Sequence, residues 1–196
     1  CVGLMYMQKM RVLDFHMNSN PLGPPEYLYR RLAEDASLPI EYPDYKNIEL
    51  NQAIADLLKL PVENVAVANG SLEAIFAMPR IVESGHCSIV KPTYWGYAAA
   101  LDSLPIVHES YILREENNFE FELEKLDQLA GRSTLLFICN PNNPTATYIE
   151  KKDLLPLVKK YPRCHFFIDE AHLFLKSIFE QETLSQEVMH LDNLTI

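Results

Sequence analysis

From residue 65 onward, short apolar stretches alternate with amphipathic ones, and this alternation constrains the fold more than any other feature of the sequence. Apolar runs of strand length, joined by segments of helical periodicity, are typical of successive strand–helix units that place parallel strands in one sheet. The pattern predicts an α/β fold with a mostly parallel sheet sandwiched between helices. Strands are expected at residues 65–68, 87–91, 105–111, 134–139 and 164–169, and helices at residues 72–81, 94–103, 122–130 and 150–160.

The first 64 residues are organised differently. They contain a proline-rich segment at residues 21–25 and a Tyr-Pro-Asp turn at residues 42–44. Two helices are expected, at residues 26–35 and 48–58. We expect an N-terminal arm with helices at residues 1–64, followed by an α/β domain at residues 65–196. Residues 191–196 have the pattern of an opening strand, so we expect the sheet of this chain to be incomplete.

Composition and charge narrow the class of partner. With 48% hydrophobic and 22% charged residues, the chain has the composition of a folded globular protein. Its net charge of −10 disfavours nucleic acid, because nucleic-acid-binding proteins use excess lysine and arginine to contact phosphates. No apolar run approaches the roughly 20 residues that span a bilayer, and the first residues lack the pattern of a secretory signal. We therefore expect a small-molecule ligand, no membrane partner and a cytoplasmic location.

The cysteines predict reduced core thiols rather than a metal site. Cys1, Cys87, Cys139 and Cys164 are widely spaced, and three of them lie in or beside apolar runs. The two places where a histidine adjoins a cysteine lack the short paired spacing of a zinc site. We expect no metal.

The segment around Gly70 has the features of an anion site. An apolar run at residues 65–68 leads through Gly70 and Ser71 into a helical segment that begins near Leu72. Free backbone N–H groups and the positive end of the helix dipole point at whatever lies above such a turn, and glycine lets a phosphate come close. Capping of the helix by the Ser71 hydroxyl is an alternative explanation of the same residues.

Two further strand ends carry side chains suited to a flat, polar ligand. Tyr94 follows the expected strand at residues 87–91, at the edge where open α/β sheets bind ligands, and an aromatic side chain there can stack on a planar ring. Asn143 follows the strand at residues 134–139, and its amide can donate to a ligand oxygen. Loop packing for Tyr94 and turn formation for Asn143 are the alternatives.

A fourth motif places a carboxylate, Asp169, at the tip of an apolar strand. An apolar run followed by Asp-Glu-Ala-His also matches the magnesium-binding strand of nucleotide-driven helicases. That alternative needs a phosphate loop with a Gly-Lys pair, and none of the six glycines precedes a lysine. The sequence therefore disfavours an ATPase.

Taken in order, the four motifs resemble the fold-type I pyridoxal 5'-phosphate (PLP) enzymes of the class I/II aminotransferase family, along essentially the whole chain. The resemblance implies the large domain of those enzymes, PLP as cofactor and a small-molecule amino acid substrate. It also implies cofactor contacts to the phosphate from Gly70, Ser71 and Leu72, to the ring face from Tyr94, to the ring hydroxyl from Asn143 and to the ring nitrogen from Asp169.

Three positions refine this resemblance. A carboxylate at Asp169 would keep the ring nitrogen protonated, and a pyridinium is the better electron sink, so we expect Asp169 to be the electronic centre of catalysis. His172 stands where the family commonly has Tyr or Phe, and its imidazole either donates to the ring hydroxyl or packs. Ala146 replaces a glycine common in the family and is expected to tighten that turn without abolishing it.

The arm at residues 14–25 is, within the family, most similar to that of threonine-phosphate decarboxylases of cobalamin biosynthesis, and histidinol-phosphate aminotransferases carry a similar arm. In both groups the Tyr-Pro-Asp turn supplies a tyrosine to the cofactor phosphate of the partner subunit. This implies a cofactor role for Tyr42 and a homodimer, and it places Asn20 on the substrate side. The expected reaction is decarboxylation of a phosphorylated amino acid, with exchange of its amino group as the alternative.

The lysine that forms the Schiff base with the cofactor in this family, normally in a Ser-x-x-Lys motif, is not assigned to this chain. The resemblance implies that it follows shortly after Ile196. A second hypothesis is therefore that the 196 residues form a catalytically inactive fragment that binds PLP without a covalent bond.

Overall fold

The computed structural model describes residues 20, 22–36, 42, 44–82 and 85–196. Contacts within the chain divide it into two compact units, Cys1–Lys46 and Asn47–Ile196. In the first unit, helix α1 spans Glu26–Glu34 and buries no residue. The arm residues 14–19, which carry much of the resemblance, lie outside the described residues. The domain boundary expected after residue 64 stays a prediction.

The second unit contains a five-stranded parallel sheet with the strand order β2-β1-β3-β4-β5. Its strands are β1 (Cys87–Lys91), β2 (His108–Ile112), β3 (Leu135–Cys139), β4 (His165–Asp169) and β5 (Leu194–Thr195). Its helices are α2 (Ile48–Leu58), α3 (Ser71–Ile81), α4 (Trp95–Asp102), α5 (Leu123–Ala130), α6 (Lys151–Lys160) and α7 (Phe179–Glu182). Short 3-10 turns lie at Val62–Asn64, Glu115–Asn117, Leu173–Leu175 and Ser185–Met189.

Helices cover both faces of the sheet, because successive side chains of a strand point to opposite faces. In β3, Leu136 and Ile138 face the core that α5 and α6 complete. Leu135 and Phe137 face the other core, which α3 and α4 complete. The central strands β1, β3 and β4 are nearly continuous buried runs, as expected for a parallel sheet enclosed on two sides. The predicted α/β sandwich is confirmed.

The prediction of a strand at residues 65–68 is wrong. The backbone is extended at Val65, with φ −117° and ψ 128°, but these residues pair with no strand in the described part of the chain. Val67 instead donates its N–H to Oδ1 of Asn51 in α2, at 3.1 Å. An apolar run predicts extended backbone, whereas a strand also needs a neighbour to supply its hydrogen bonds.

Other features of the described residues bear on ligand class. Cys87, Cys139 and Cys164 are buried and form no disulfide within the described residues, among which Cys1 is not included. Over the described ranges, no group of three or more His, Cys, Asp or Glu side chains is arranged to hold a metal ion. Within the same ranges, no helix has both the length and the apolar character needed to cross a membrane.

Candidate functional site

The loops that follow β1, β3 and β4 meet at one edge of the sheet. Parallel strands point the same way, so their carboxyl ends share an edge. The register pairs Cys139 with Asp169, the last residues of β3 and β4. The Asn140 N–H then donates to the carbonyl oxygen of Asp169 at 2.9 Å, which holds the two loops together. The predicted motifs that follow β3 and β4 therefore begin side by side at this edge of the sheet.

The start of α3 is open to a ligand. Gly70 takes the N-cap position with φ 73° and ψ 170°, in a region of backbone space that side chains disfavour. Ser71 is the first helical residue rather than the cap, and no side-chain hydrogen bond caps the helix. The capping alternative for the Ser71 hydroxyl is therefore wrong. The first-turn N–H groups and the helix dipole remain available to an anion.

Glycine at position 96 lets two of the predicted motifs meet. A Cβ on Gly96 would lie 2.6 Å from Cε1 of Tyr94 and 2.9 Å from Cδ1 of Leu72, closer than real Cβ contacts come. The Tyr94 ring and the Leu72 side chain thus occupy the space above this glycine. The aromatic motif lies against the first turn of α3, where the predicted phosphate-binding residues are.

Asn142 joins the loops after β1 and β3. Its Nδ2 donates to the Pro92 carbonyl at 2.9 Å and to Oγ1 of Thr145 at 2.7 Å. Its Oδ1 accepts from the Thr93 hydroxyl at 2.7 Å. Asn143, the predicted ligand residue, is half-buried, and its side chain has no hydrogen bond to any described residue, so its amide is available to a ligand. Sequence reasoning missed the structural role of Asn142, although both asparagines stand in the same turn.

Asp169 is buried, at 8% exposure, and both carboxylate oxygens are hydrogen-bonded. Oδ2 accepts from the Tyr97 hydroxyl at 2.8 Å, and Oδ1 accepts from the Ala171 N–H at 3.0 Å. Each oxygen has a second lone pair for a further donor. The carboxylate is therefore fixed in direction and still able to accept from a ligand.

Tyr97 is the residue of this site that sequence reasoning passed over. It is fully buried, and its ring stacks on Phe137 with centroids 5.3 Å apart and planes 19° apart. Its ring also meets the Tyr94 ring edge-on at 5.7 Å. Burial, followed by the charge of Asp169, raises the pKa of the Tyr97 hydroxyl far above its ordinary value. The available signal was its position, three residues after Tyr94 at the start of α4, because side chains with that spacing lie on the same side of a helix.

Of the residues after Asp169, Glu170 is hydrogen-bonded to the protein, whereas the His172 imidazole is not hydrogen-bonded to any described residue. Glu170 is buried, and its oxygens accept from the Thr183 hydroxyl at 2.6 Å and from the Leu184 N–H at 2.8 Å. Burial raises the pKa of Glu170. His172 is half-buried, and its ring has no hydrogen bond to any described residue. Both alternatives for His172, donation to a ligand and packing, remain open.

Asn20 and Tyr42 belong to the first unit, which is described by itself. Asn20 forms a local turn, in which Nδ2 donates to the Gly23 carbonyl at 3.1 Å and Oδ1 accepts from the Leu22 N–H at 3.0 Å. Tyr42 is 91% exposed. Their substrate and cofactor roles stay predictions.

One match to the lysine pattern lies inside the chain and was overlooked in the sequence. Ser88-Ile89-Val90-Lys91 fits Ser-x-x-Lys by letter. In the structure these residues lie in β1, where Ser88 is fully buried and its hydroxyl is 2.6 Å from that of Ser133. We therefore assign Ser88 to the core and do not assign the covalent role to Lys91.

The chain is similar to known proteins along most of its length. A family model described as aminotransferase class I and II matches residues 11–180. An adenosylcobalamin biosynthesis bifunctional protein of Leptospira interrogans is 32% identical over 189 residues, which cover 90% of this chain and 22% of that protein. The threonine-phosphate decarboxylase of Salmonella typhimurium is 30% identical over 165 residues, which cover 83% of this chain and 45% of that protein.

A solved structure supports the same fold. The histidinol-phosphate aminotransferase of Clostridium acetobutylicum matches with a TM-score of 0.79 at 24% identity, covering 93% of this chain and 54% of that one. The chain thus spans about half, or less, of the length of the proteins it matches.

Proposed function

This chain belongs to the class I and II aminotransferase family, and we propose on that basis that it forms the PLP-binding part of an enzyme that acts on a phosphorylated amino acid. The observation that carries the proposal is the buried Asp169, held by two donors at the edge where the other motifs converge. A carboxylate in that position suits the nitrogen of a pyridine ring.

The residues present fit the cofactor. The uncapped start of α3 at Gly70 suits its phosphate, because first-turn N–H groups and the helix dipole attract anions. The half-buried Tyr94 ring suits stacking on the pyridine face, and the free Asn143 amide suits the ring hydroxyl. When bound, PLP supplies an electron sink for the carbanion that forms at the α-carbon of an amino acid.

The protein groups would then hold and orient the cofactor. N–H groups of Ser71 and Leu72, beside Gly70, would bind the phosphate and fix the position of the ring. Asp169 would keep a proton on the ring nitrogen, and Asn143 would fix the angle of the ring by donating to its hydroxyl. These contacts would fix the plane of the ring, and the residues that hold the substrate would decide which bond of its α-carbon stands perpendicular to that plane.

Threonine-phosphate decarboxylation is the reaction we favour. The Salmonella relative carries that name, and the Leptospira relative is named for adenosylcobalamin biosynthesis, which agrees with the arm sequence. Histidinol-phosphate transamination is the alternative, because the fold match and the arm are similar to that group as well. Release of CO₂ from threonine phosphate, measured against amino transfer from histidinol phosphate with the same preparation, distinguishes the two reactions.

Asp169→Asn tests the central role in this proposal. The amide keeps the size of the side chain but removes its charge, so turnover should fall by about 100-fold or more, as for the loss of one electrostatic partner. The free energy of unfolding should change by only about 1–2 kcal/mol, because one buried hydrogen bond is weakened. Steady-state kinetics and urea unfolding give the two quantities. Unchanged turnover would refute the role of Asp169.

The second candidate is a fragment that binds PLP without a covalent bond. Reduction with borohydride followed by mass spectrometry separates the two cases, because only a lysine-bound cofactor becomes permanently attached to the protein. If PLP binds at equilibrium but dialyses away, and no mass is added after reduction, the chain is a non-covalent binder. A permanent adduct on a lysine of this chain would contradict the non-covalent candidate.

The proposal extends to assembly and location. We propose a homodimer in which Tyr42 of each subunit contacts the cofactor phosphate bound by the other, with Asn20 on the substrate side, in the cytoplasm. Sedimentation would give the oligomeric state. In a dimer, Tyr42→Phe should weaken PLP binding by about threefold to tenfold through loss of one hydroxyl contact.

A further inference from the structure

We propose that Tyr97 is a positioning residue for Asp169, whose hydroxyl orients the carboxylate and holds the shared proton on the ring nitrogen. This inference rests on the proposed contact between Asp169 and the cofactor. The family resemblance assigns no role to Tyr97. The geometry points to it directly, because the only side-chain donor to the carboxylate among the described residues is this hydroxyl.

The hydroxyl is held rigidly at 2.8 Å from Oδ2 of Asp169. Tyr97 is fully buried, and its ring is fixed between Phe137 on one face and the edge contact with Tyr94. A side chain so enclosed has no other rotamer to adopt without opening the core. The Asp169 carboxylate thus has two fixed donors, one from a side chain and one from the Ala171 backbone.

Helix α4 couples the two ring contacts. Tyr94 stands at its N-cap position and Tyr97 lies in its first turn. The residue expected to lie against the face of the ring and the residue that orients the carboxylate for the ring nitrogen therefore move as one element. A shift of α4 would change stacking and nitrogen contact together.

The phenol remains a donor throughout the working range. Burial and the neighbouring charge of Asp169 raise the pKa of Tyr97, with the Cys139 thiol adding to the effect, so the proton stays on the oxygen. A donor to a carboxylate makes that carboxylate a weaker base. The shared proton between Asp169 and a pyridine nitrogen then resides on the nitrogen. Without the hydroxyl, the proton would move toward the carboxylate.

The test uses the purified chain loaded with PLP that carries ¹⁵N in the ring, because the nitrogen chemical shift reports where the proton is. Tyr97→Phe keeps the ring stacking and removes only the hydroxyl. We expect its ¹⁵N signal to move toward the value of unprotonated pyridine, in the direction that Asp169→Asn moves it and by less. The PLP dissociation constant should rise by about twofold to tenfold, the net effect of one hydrogen bond.

Tyr111→Phe is the matched control. The Tyr111 hydroxyl also donates to a carboxylate, Oε1 of Glu122 at 3.3 Å, but Tyr111 packs against the core on the opposite face of the sheet from Tyr97. Its loss should leave both the ¹⁵N signal and the PLP dissociation constant unchanged. Thermal unfolding of each variant checks that the fold is intact.

A second variant keeps the test sharp if Tyr97→Phe disturbs the core. Replacing Tyr97 with 3-fluorotyrosine makes the hydroxyl a stronger donor, so the ¹⁵N signal should move further toward the pyridinium value. Shifts in the same direction for the two replacements would indicate general disturbance and overturn the proposal.

The outcomes separate this inference from the proposed function. If Asp169→Asn moves the ¹⁵N signal while folded Tyr97→Phe leaves both signal and affinity at wild-type values, the role of Tyr97 is refuted and that of Asp169 stands. If the wild-type chain does not bind PLP, or if Asp169→Asn changes nothing, the proposed function fails and this inference fails with it.

Discussion

Ala146, in the loop that carries Asn143, has a backbone conformation that alanine rarely adopts. It lies in the loop after β3 with φ 59°, in the left-handed region that favours glycine, and its N–H donates to the Asn142 carbonyl at 2.7 Å. The turn therefore forms with alanine at this position, but at the cost of a Cβ in a crowded backbone conformation. The expectation that alanine is accommodated agrees with this geometry.

Replacing this alanine with glycine should stabilise the fold. Ala146→Gly removes the crowded Cβ and should raise the free energy of unfolding by about 1 kcal/mol, measured by urea unfolding. Ala53→Gly, at an exposed position inside α2, is the matched control and should lower the free energy by about 0.5–1 kcal/mol. Equal destabilisation by both changes would show that residue 146 is not strained.

The two asparagines of the loop after β3 mark a limit of sequence reasoning at the residue scale. Asn142 and Asn143 are chemically identical, and the turn pattern alone does not separate them. Their hydrogen bonds separate them. The Asn142 amide is hydrogen-bonded to Pro92, Thr93 and Thr145, while the Asn143 side chain makes no hydrogen bond within the described residues. Which asparagine is hydrogen-bonded to the protein depends on the loop after β1, 49 to 50 residues away, so no local sequence pattern reveals it.

Among the elements, those with a regular apolar pattern were predicted, and the errors lie where a strand lacks a neighbouring strand or a backbone N–H. Strand β1 matches its predicted bounds, and α2 does so as well, because apolar periodicity determines both. The strand expected at residues 65–68 failed for lack of a neighbouring strand among the described residues. Strand β2 begins at His108 rather than at Pro105, which has no N–H to give to a ladder.

The segment after β4 is expected to depend on pH through Glu170. Burial raises the pKa of this residue above its ordinary value of 4.5, so the folded state binds the proton more tightly than the unfolded state. Its contribution to stability is complete below 4.5 and is lost as pH rises through the folded pKa. Glu170→Gln, which stays neutral, should therefore gain in unfolding free energy relative to wild type as pH rises above that value.

Glu109→Gln provides a control of opposite sign. A hydrogen bond from Arg132 holds the pKa of Glu109 below 4.5, so this carboxylate stabilises the fold at neutral pH and loses that effect in acid. The variant should be less stable than wild type near neutrality and approach it as pH falls. Urea unfolding across the pH range measures both series, and parallel curves for Glu170→Gln and wild type would contradict the account.

At the scale of the whole molecule, the parallel sheet explains why distant residues meet. Strands β1, β3 and β4 point their carboxyl ends the same way; the loops after β1 and β3 contribute Tyr94 and Asn143, and the last residue of β4 is Asp169. Helix α3 packs beside α4 and brings the Gly70 turn to the same edge through the contact above Gly96. The order of the motifs predicted this convergence, whereas the hydrogen bonds between the loops became visible only in three dimensions.

Fluorescence of the single tryptophan should report cofactor binding. Trp95 adjoins Tyr94, with ring centroids 5.4 Å apart, and is 62% exposed, so PLP stacked on Tyr94 should quench its emission. Pyridoxal, which lacks the phosphate, should bind at least about tenfold more weakly, because charge-assisted hydrogen bonds at the helix start are lost. Equal affinities for the two compounds would contradict a phosphate site at Gly70.

A crystal structure of the chain with bound PLP tests the central claim most directly. The account predicts the phosphate at the start of α3 beside Gly70 and the pyridine ring against Tyr94. It also predicts the ring nitrogen within about 3 Å of an Asp169 carboxylate oxygen. A complex with the ring nitrogen turned away from Asp169, or with the phosphate bound elsewhere, would contradict it.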